Sequence, residues 1–88
     1  MKIKKDYVLR TVASQHLVVP VGEAGVNFNG VITLNNSGKL LFEAMLNEIK
    51  KEDLVKLLLD KYEVTTEQAT LDVEAFIKKL DAKKLIEY

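Results

Sequence analysis

The chain changes character near residue 36, and that break limits the folds open to it. Before it stand Val, Ile, Thr, Tyr and Phe with three of the four glycines and the single proline; after it come Leu, Lys, Glu and Ala. β-Branched and aromatic side chains suit a half-buried pleated surface, while unbranched ones lose little freedom in a helix. Strands first and helices second imply an α+β fold, not alternating βαβ units. At 88 residues there is room for one domain, residues 1–88, built on one core.

Three strands are expected. Tyr7 to Ala13 alternates in part, with Tyr7, Leu9 and Thr11 on one face. Gln15 to Val21 is β-branched and is cut short or bulged at Pro20, which cannot donate to a ladder. Gly22-Glu23-Ala24-Gly25 is a turn. Val26 to Leu34 then places Val26, Phe28, Ile32 and Leu34 on one face and Asn27, Asn29, Val31 and Thr33 on the other. Short connections make the simplest sheet a three-stranded antiparallel meander, whose outer strands carry unpaired backbone groups.

Three helices follow. Asn36 or Ser37 can cap the first, with Leu40, Leu41, Ala44 and Met45 facing a core. The second runs from near Lys51 to Tyr62 around Leu54, Val55, Leu58 and Leu59. Thr65 or Thr66 caps the third, and Thr65 with Gln68 fits a capping box. At about 100° per residue, Ala69, Val73, Phe76, Ile77 and Leu80 form one core stripe. Asp72, Lys79 and Lys83 flank it beside Phe76, and Leu71, Ala75 and Lys78 lie behind. Leu85-Ile86 adds a terminal apolar anchor.

Composition excludes several chemistries. With no cysteine, a disulfide frame, a thiolate metal site and a cysteine nucleophile are ruled out. A single histidine, His16, rules out a multi-histidine site, and it reads as a surface or half-buried strand residue. The carboxylates alternate with lysines as on solvated faces, so no catalytic pair, metal site or cofactor is expected. Gly38 opens a helix without the rest of a phosphate loop. Thirteen basic and thirteen acidic side chains cancel, and the lysines of the last helix spread over more than half its wheel. Both points argue against nucleic acid. No apolar run nears the roughly 18 residues of a membrane span, and no signal sequence precedes the strands, so a cytoplasmic protein is expected. What remains is an edge strand beside a helix, a groove of the kind that accepts extended peptides.

The order of motifs resembles the family of the PQQ biosynthesis protein D, the PqqD-like proteins, also called RiPP recognition elements. The similarity covers nearly the whole chain. Its most specific piece is Phe28-Asn29-Gly30-Val31-Ile32-Thr33-Leu34-Asn35-Asn36-Ser37-Gly38, running into Leu41-Phe42-Glu43-Ala44-Met45-Leu46. Val18-Val19-Pro20-Val21-Gly22, Asp53-Leu54-Val55 through Tyr62-Glu63-Val64, and Asp72-Val73 with Phe76-Ile77, Leu80 and Leu85-Ile86-Glu87 also match. Phe42 stands where tryptophan is common. Lys84 stands where glycine commonly precedes the last Leu-Ile, which puts the C-cap of the last helix in question.

The resemblance implies a winged-helix-like α+β domain, a three-stranded antiparallel sheet followed by three helices. It implies a non-catalytic peptide chaperone that binds the leader of a ribosomally made precursor by strand addition and presents it to a modifying enzyme, commonly a radical SAM protein. Carried over, the ladder edge is Asn27, Phe28, Asn29, Gly30, Val31, Ile32 and Thr33. The helix wall is Asp72, Phe76, Lys79 and Lys83, or the back face of Leu71, Ala75 and Lys78; the flank is preferred because it adjoins the core stripe and carries charge. A winged-helix DNA-binding regulatory module is the alternative, and a homodimer formed through the same edge strand is a third reading beside a monomer.

Overall fold

The computed structural model describes residues 1–22 and 31–88. Its elements are β1 (Lys2–Ile3), β2 (Tyr7–Val12), β3 (Gln15–Pro20), β4 (Ile32–Leu34), α1 (Asn36–Ala44), α2 (Lys51–Lys61), α3 (Thr66–Ala82) and β5 (Ile86–Glu87). Strands β2, β3 and β4 form the expected antiparallel meander in that order. The sequence of three strands and three helices confirms the α+β reading.

The β2–β3 ladder runs unbroken from Tyr7 opposite Pro20 to Val12 opposite Gln15. Proline therefore sits at the ladder's end and makes no bulge. Among the described residues, β4 pairs with His16 to Val18. Ala13 and Ser14, both with positive φ (51° and 68°), make the two-residue turn between β2 and β3. Two left-handed residues give a hairpin turn whose twist matches that of the strands.

Of the expected strand Val26 to Leu34, the part from Val26 to Gly30 lies outside the described residues, as do residues 23–25 of the expected turn. Within the described chain the strand is Ile32–Leu34. Ile32 and Leu34 are buried while Val31 and Thr33 are exposed, the alternation the pattern demanded.

The cap of α1 is one residue earlier than expected. Asn35, not Asn36 or Ser37, holds the extended N-cap conformation, and its Oδ1 accepts from the Gly38 amide at 2.8 Å and the Ser37 hydroxyl at 3.0 Å. Asn36 is drawn off to the sheet: its Oδ1 lies 3.0 Å from His16 Nε2, while His16 Nδ1 lies 3.0 Å from Thr11 Oγ1. An Nε2–H tautomer satisfies both contacts. Half-buried His16 thus ties the hairpin to the start of α1.

Thr65 caps α3, its hydroxyl accepting from the Gln68 amide at 3.1 Å. The reciprocal half of the capping box does not form, because Gln68 Nε2 donates forward to Asp72 at 2.8 Å. The core stripe of α3 is as read: Ala69, Val73 and Leu80 are fully buried, and Phe76 and Ile77 pack against the core. Phe42 and Met45 are fully buried beneath them. Phe42 therefore fills the site where the resemblance leads one to expect tryptophan.

A second, two-stranded sheet pairs β1 with β5, Ile3 opposite Ile86. Ile3, Leu85 and Ile86 all enter the core. The terminal anchor expected at Leu85-Ile86 is present, and the N-terminal segment is its partner. No helix among the described residues is long and apolar enough to cross a membrane.

Candidate functional site

Strand β4 is bonded on one side to β3, and its other side meets no described strand. Helix α3 runs beside that open side. Between them is a cavity of about 480 Å³ lined by Thr33, Leu34, Asn35, Ser37, Gly38, Leu41, Leu58, Asp72, Ala75, Phe76 and Lys79.

The local sequence explains how the two walls come so close. A Cβ on Gly38 would lie 3.1 Å from Asn35 Oδ1, 3.3 Å from Leu34 Cβ and 3.4 Å from Phe76 Cε1. Glycine therefore lets the Phe76 ring of α3 approach the first turn of α1, directly beside the Asn35 cap. The Leu34-Asn35-Asn36-Ser37-Gly38 run is a packing device that joins the end of β4 to α3. Phe76 is half-buried, with one part in the core and the remainder in the cavity wall.

Polar groups sit at the rim. Lys79 Nζ donates across the groove to the Thr33 carbonyl oxygen at 3.4 Å, a long and exposed contact. Asp72 holds one oxygen on Gln68. Side-chain partners elsewhere on α3 face away: Glu74 is paired with Lys51 of α2.

Of the residues named from the sequence, the structure brings Thr33, Asp72, Phe76 and Lys79 to one cavity. Ile32 points its side chain into the core and is paired with Val18 of β3, and Val31 is exposed ahead of the strand. Neither lines the cavity, nor does Lys83 at the C-cap of α3. Asn27, Phe28, Asn29 and Gly30 lie outside the described residues. Leu71 and Lys78 of the back face do not line it, whereas Ala75 does, so the groove reaches further round the helix than the wheel's flank. Leu34, Asn35, Ser37, Gly38, Leu41 and Leu58 also line it, and the sequence-based site includes none of them. The glycine after a capping asparagine was the available signal, because it marks a close approach of another element.

No group of His, Asp and Glu among the described residues could hold a metal ion. The arrangement offers backbone acceptors and donors along an edge, one apolar ring, one cation and one anion. Groups of this kind suit an extended chain; none of them forms a nucleophile–base pair.

Two solved structures share this architecture. A structure described as TbiB1 in complex with the TbiA(beta) leader peptide superposes with a TM-score of 0.79 at 20% identity, covering 99% of this chain and 95% of the other. A lasso peptide synthetase B1 complexed with its leader peptide gives 0.75 at 18% identity, covering 96% and 93%. At such identities the likeness is one of fold. Comparison with curated protein sequences finds no match. Residues 15–86, from β3 to the first residue of β5, match the family model for coenzyme PQQ synthesis protein D, and the chain belongs to the PqqD family.

Proposed function

We propose that this protein binds the leader segment of a ribosomally synthesised precursor peptide as a strand added to β4 and seated against α3, and that it delivers the peptide to a separate modifying enzyme without performing chemistry itself. The carrying observation is the side of β4 beside α3 that meets no described strand, with Thr33 and Phe76 in one cavity. The same fold holds leader peptides in the two similar complexes, which supports the reading.

The expected strength is modest. Three or four ladder bonds of about 0.5–1.5 kcal/mol each, and one or two apolar anchors of about 1.5–3 kcal/mol each, stand against several kcal/mol for ordering the peptide. At the favourable end of these ranges the balance is a Kd of roughly micromolar order, and weaker elsewhere in them. Such an affinity suits a carrier, which holds substrate near an enzyme and releases it. Within this reading the enzyme is a radical SAM protein, as the family resemblance implies, the carrier is a monomer, and the encounter takes place in the cytoplasm, where the precursor leaves the ribosome.

The test is a titration of the 15N-labelled 88-residue chain with the synthetic leader encoded by the short open reading frame nearest its gene. Amide shifts concentrated at residues 31–33 and 72–79 are expected. Unchanged spectra at millimolar peptide would sink the proposal.

A further inference from the structure

With the β4–α3 groove taken as a strand-addition site, we propose that Lys79 selects for a carboxylate in the bound peptide, resting on the Thr33 carbonyl while the groove is empty and moving onto that carboxylate when it fills.

The Thr33 carbonyl belongs to the strand whose outer side meets no described strand. An added strand uses the edge carbonyls as ladder acceptors. Lys79 Nζ already donates to this one, from a helix 46 positions away in sequence. The peptide's N–H and the ammonium therefore compete for one oxygen. The contact is long, at 3.4 Å, and the lysine is exposed, so it yields at small cost.

A displaced ammonium needs a new acceptor on the rim. A neutral peptide offers it only water. A peptide carboxylate beside Thr33 gives a charge-assisted bond, shorter and roughly twice as strong as a neutral one. The same ammonium disfavours the edge as a site for a second copy of this chain, because edge-to-edge pairing of two β4 strands brings two Lys79 side chains together. Lysine at a sheet edge is a common guard against such pairing.

The cavity lining carries one other charge, Asp72. It lies seven positions before Lys79, about 10 Å along the helix axis, which matches about three residues of an extended strand. A second peptide carboxylate there meets Asp72 and is repelled. The preferred ligand is thus an extended segment with one acidic residue level with Thr33 and a neutral or basic residue about three positions away.

The experiment uses the whole chain and a displayed library of random 12-residue peptides as the probe. Selected binders are resynthesised with each Glu or Asp changed to Gln or Asn, and affinities are measured on the wild type and on Lys79→Met. Lys79 is exposed, so the variant is expected to fold, and its circular dichroism checks this. Losing one carboxylate should weaken binding to the wild type about five- to tenfold and binding to Lys79→Met less than twofold. The neutral peptides should bind Lys79→Met at least as well as the wild type, because their competitor for Thr33 is gone. In the free protein, Lys79→Met should move the Thr33 carbonyl carbon resonance. Equal losses on both proteins, or binders without acidic residues, would overturn the assignment of Lys79 while leaving strand addition intact. Failure to select any binder would remove strand addition itself, and this proposal with it.

Discussion

The Leu85 amide donates to the Leu80 carbonyl at 3.1 Å, and between the two Lys84 stands at a φ of +62°. With the Lys84 amide bonded to the Asp81 carbonyl at 2.9 Å, this is a complete Schellman cap on α3. Leu80 and Leu85 are both fully buried, supplying the hydrophobic contact that such caps favour. The cap left in question by the missing glycine therefore forms with lysine, at the cost of a left-handed conformation. Replacing Lys84 by glycine removes that strain. Lys84→Gly should raise stability by about 1 kcal/mol, a Tm increase of roughly 4–8 °C for a domain of this size. A β-branched residue there should lower it. Urea unfolding, with a changed midpoint and an unchanged slope, is the check.

The β2–β3 turn offers a second test of the same physics. Ala13 and Ser14 both hold positive φ without being glycine or asparagine. The paired change Ala13→Asn with Ser14→Gly supplies the residues that this turn prefers. Stability should rise by about 1 kcal/mol, and cross-strand contacts from Tyr7–Pro20 to Val12–Gln15 should be retained. A shifted register in the NMR spectrum would contradict the turn assignment.

These two turns show where the sequence could be read and where it could not. Side-chain alternation placed Ile32 and Leu34 inside and Thr33 outside, because a half-buried strand imposes period two. Helical spacing placed Val73 and Leu80 in the core for the corresponding reason. The β1–β5 pair left no such trace. Two-residue strands have no period, and Ile3 meets Ile86 across nearly the whole chain. The cap of α1 moved from Asn36 to Asn35 because His16, distant in sequence, claims the Asn36 side chain. The groove was legible as a helix flank next to an edge strand. Its depth was not, since Leu41, Leu58 and Ala75 join it only through packing between helices.

Gly38 should resist replacement even by alanine, the better helix former. In an open helix Gly→Ala gains about 1 kcal/mol. Here the new Cβ meets atoms that cannot withdraw: Asn35 Oδ1 is fixed by capping α1, and Leu34 Cβ is fixed by β4. Only the Phe76 ring can move, and it moves into the groove. Gly38→Ala should therefore lower stability by about 1–2 kcal/mol and shift the Phe76 ring resonances. A gain in stability would show that Asn35 and Leu34 give way to the added methyl.

Phe76 is the residue on which folding and binding separate most clearly. Fully buried Phe42 should cost about 3–5 kcal/mol when cut to alanine. Phe76 is half-buried, so Phe76→Ala should cost about half as much and leave a folded protein. Its exposed part lies in the cavity wall, where a bound leader would cover it. Losing that surface should weaken leader binding about tenfold or more, some 1.4 kcal/mol or more. Leu71, exposed on the opposite face of α3, provides the contrast: Leu71→Ala should leave affinity within twofold. Calorimetric titration of both variants with the same leader peptide distinguishes the two faces. Weakening by Leu71→Ala with none by Phe76→Ala would move the wall of the groove to the back of the helix, away from the open side of β4.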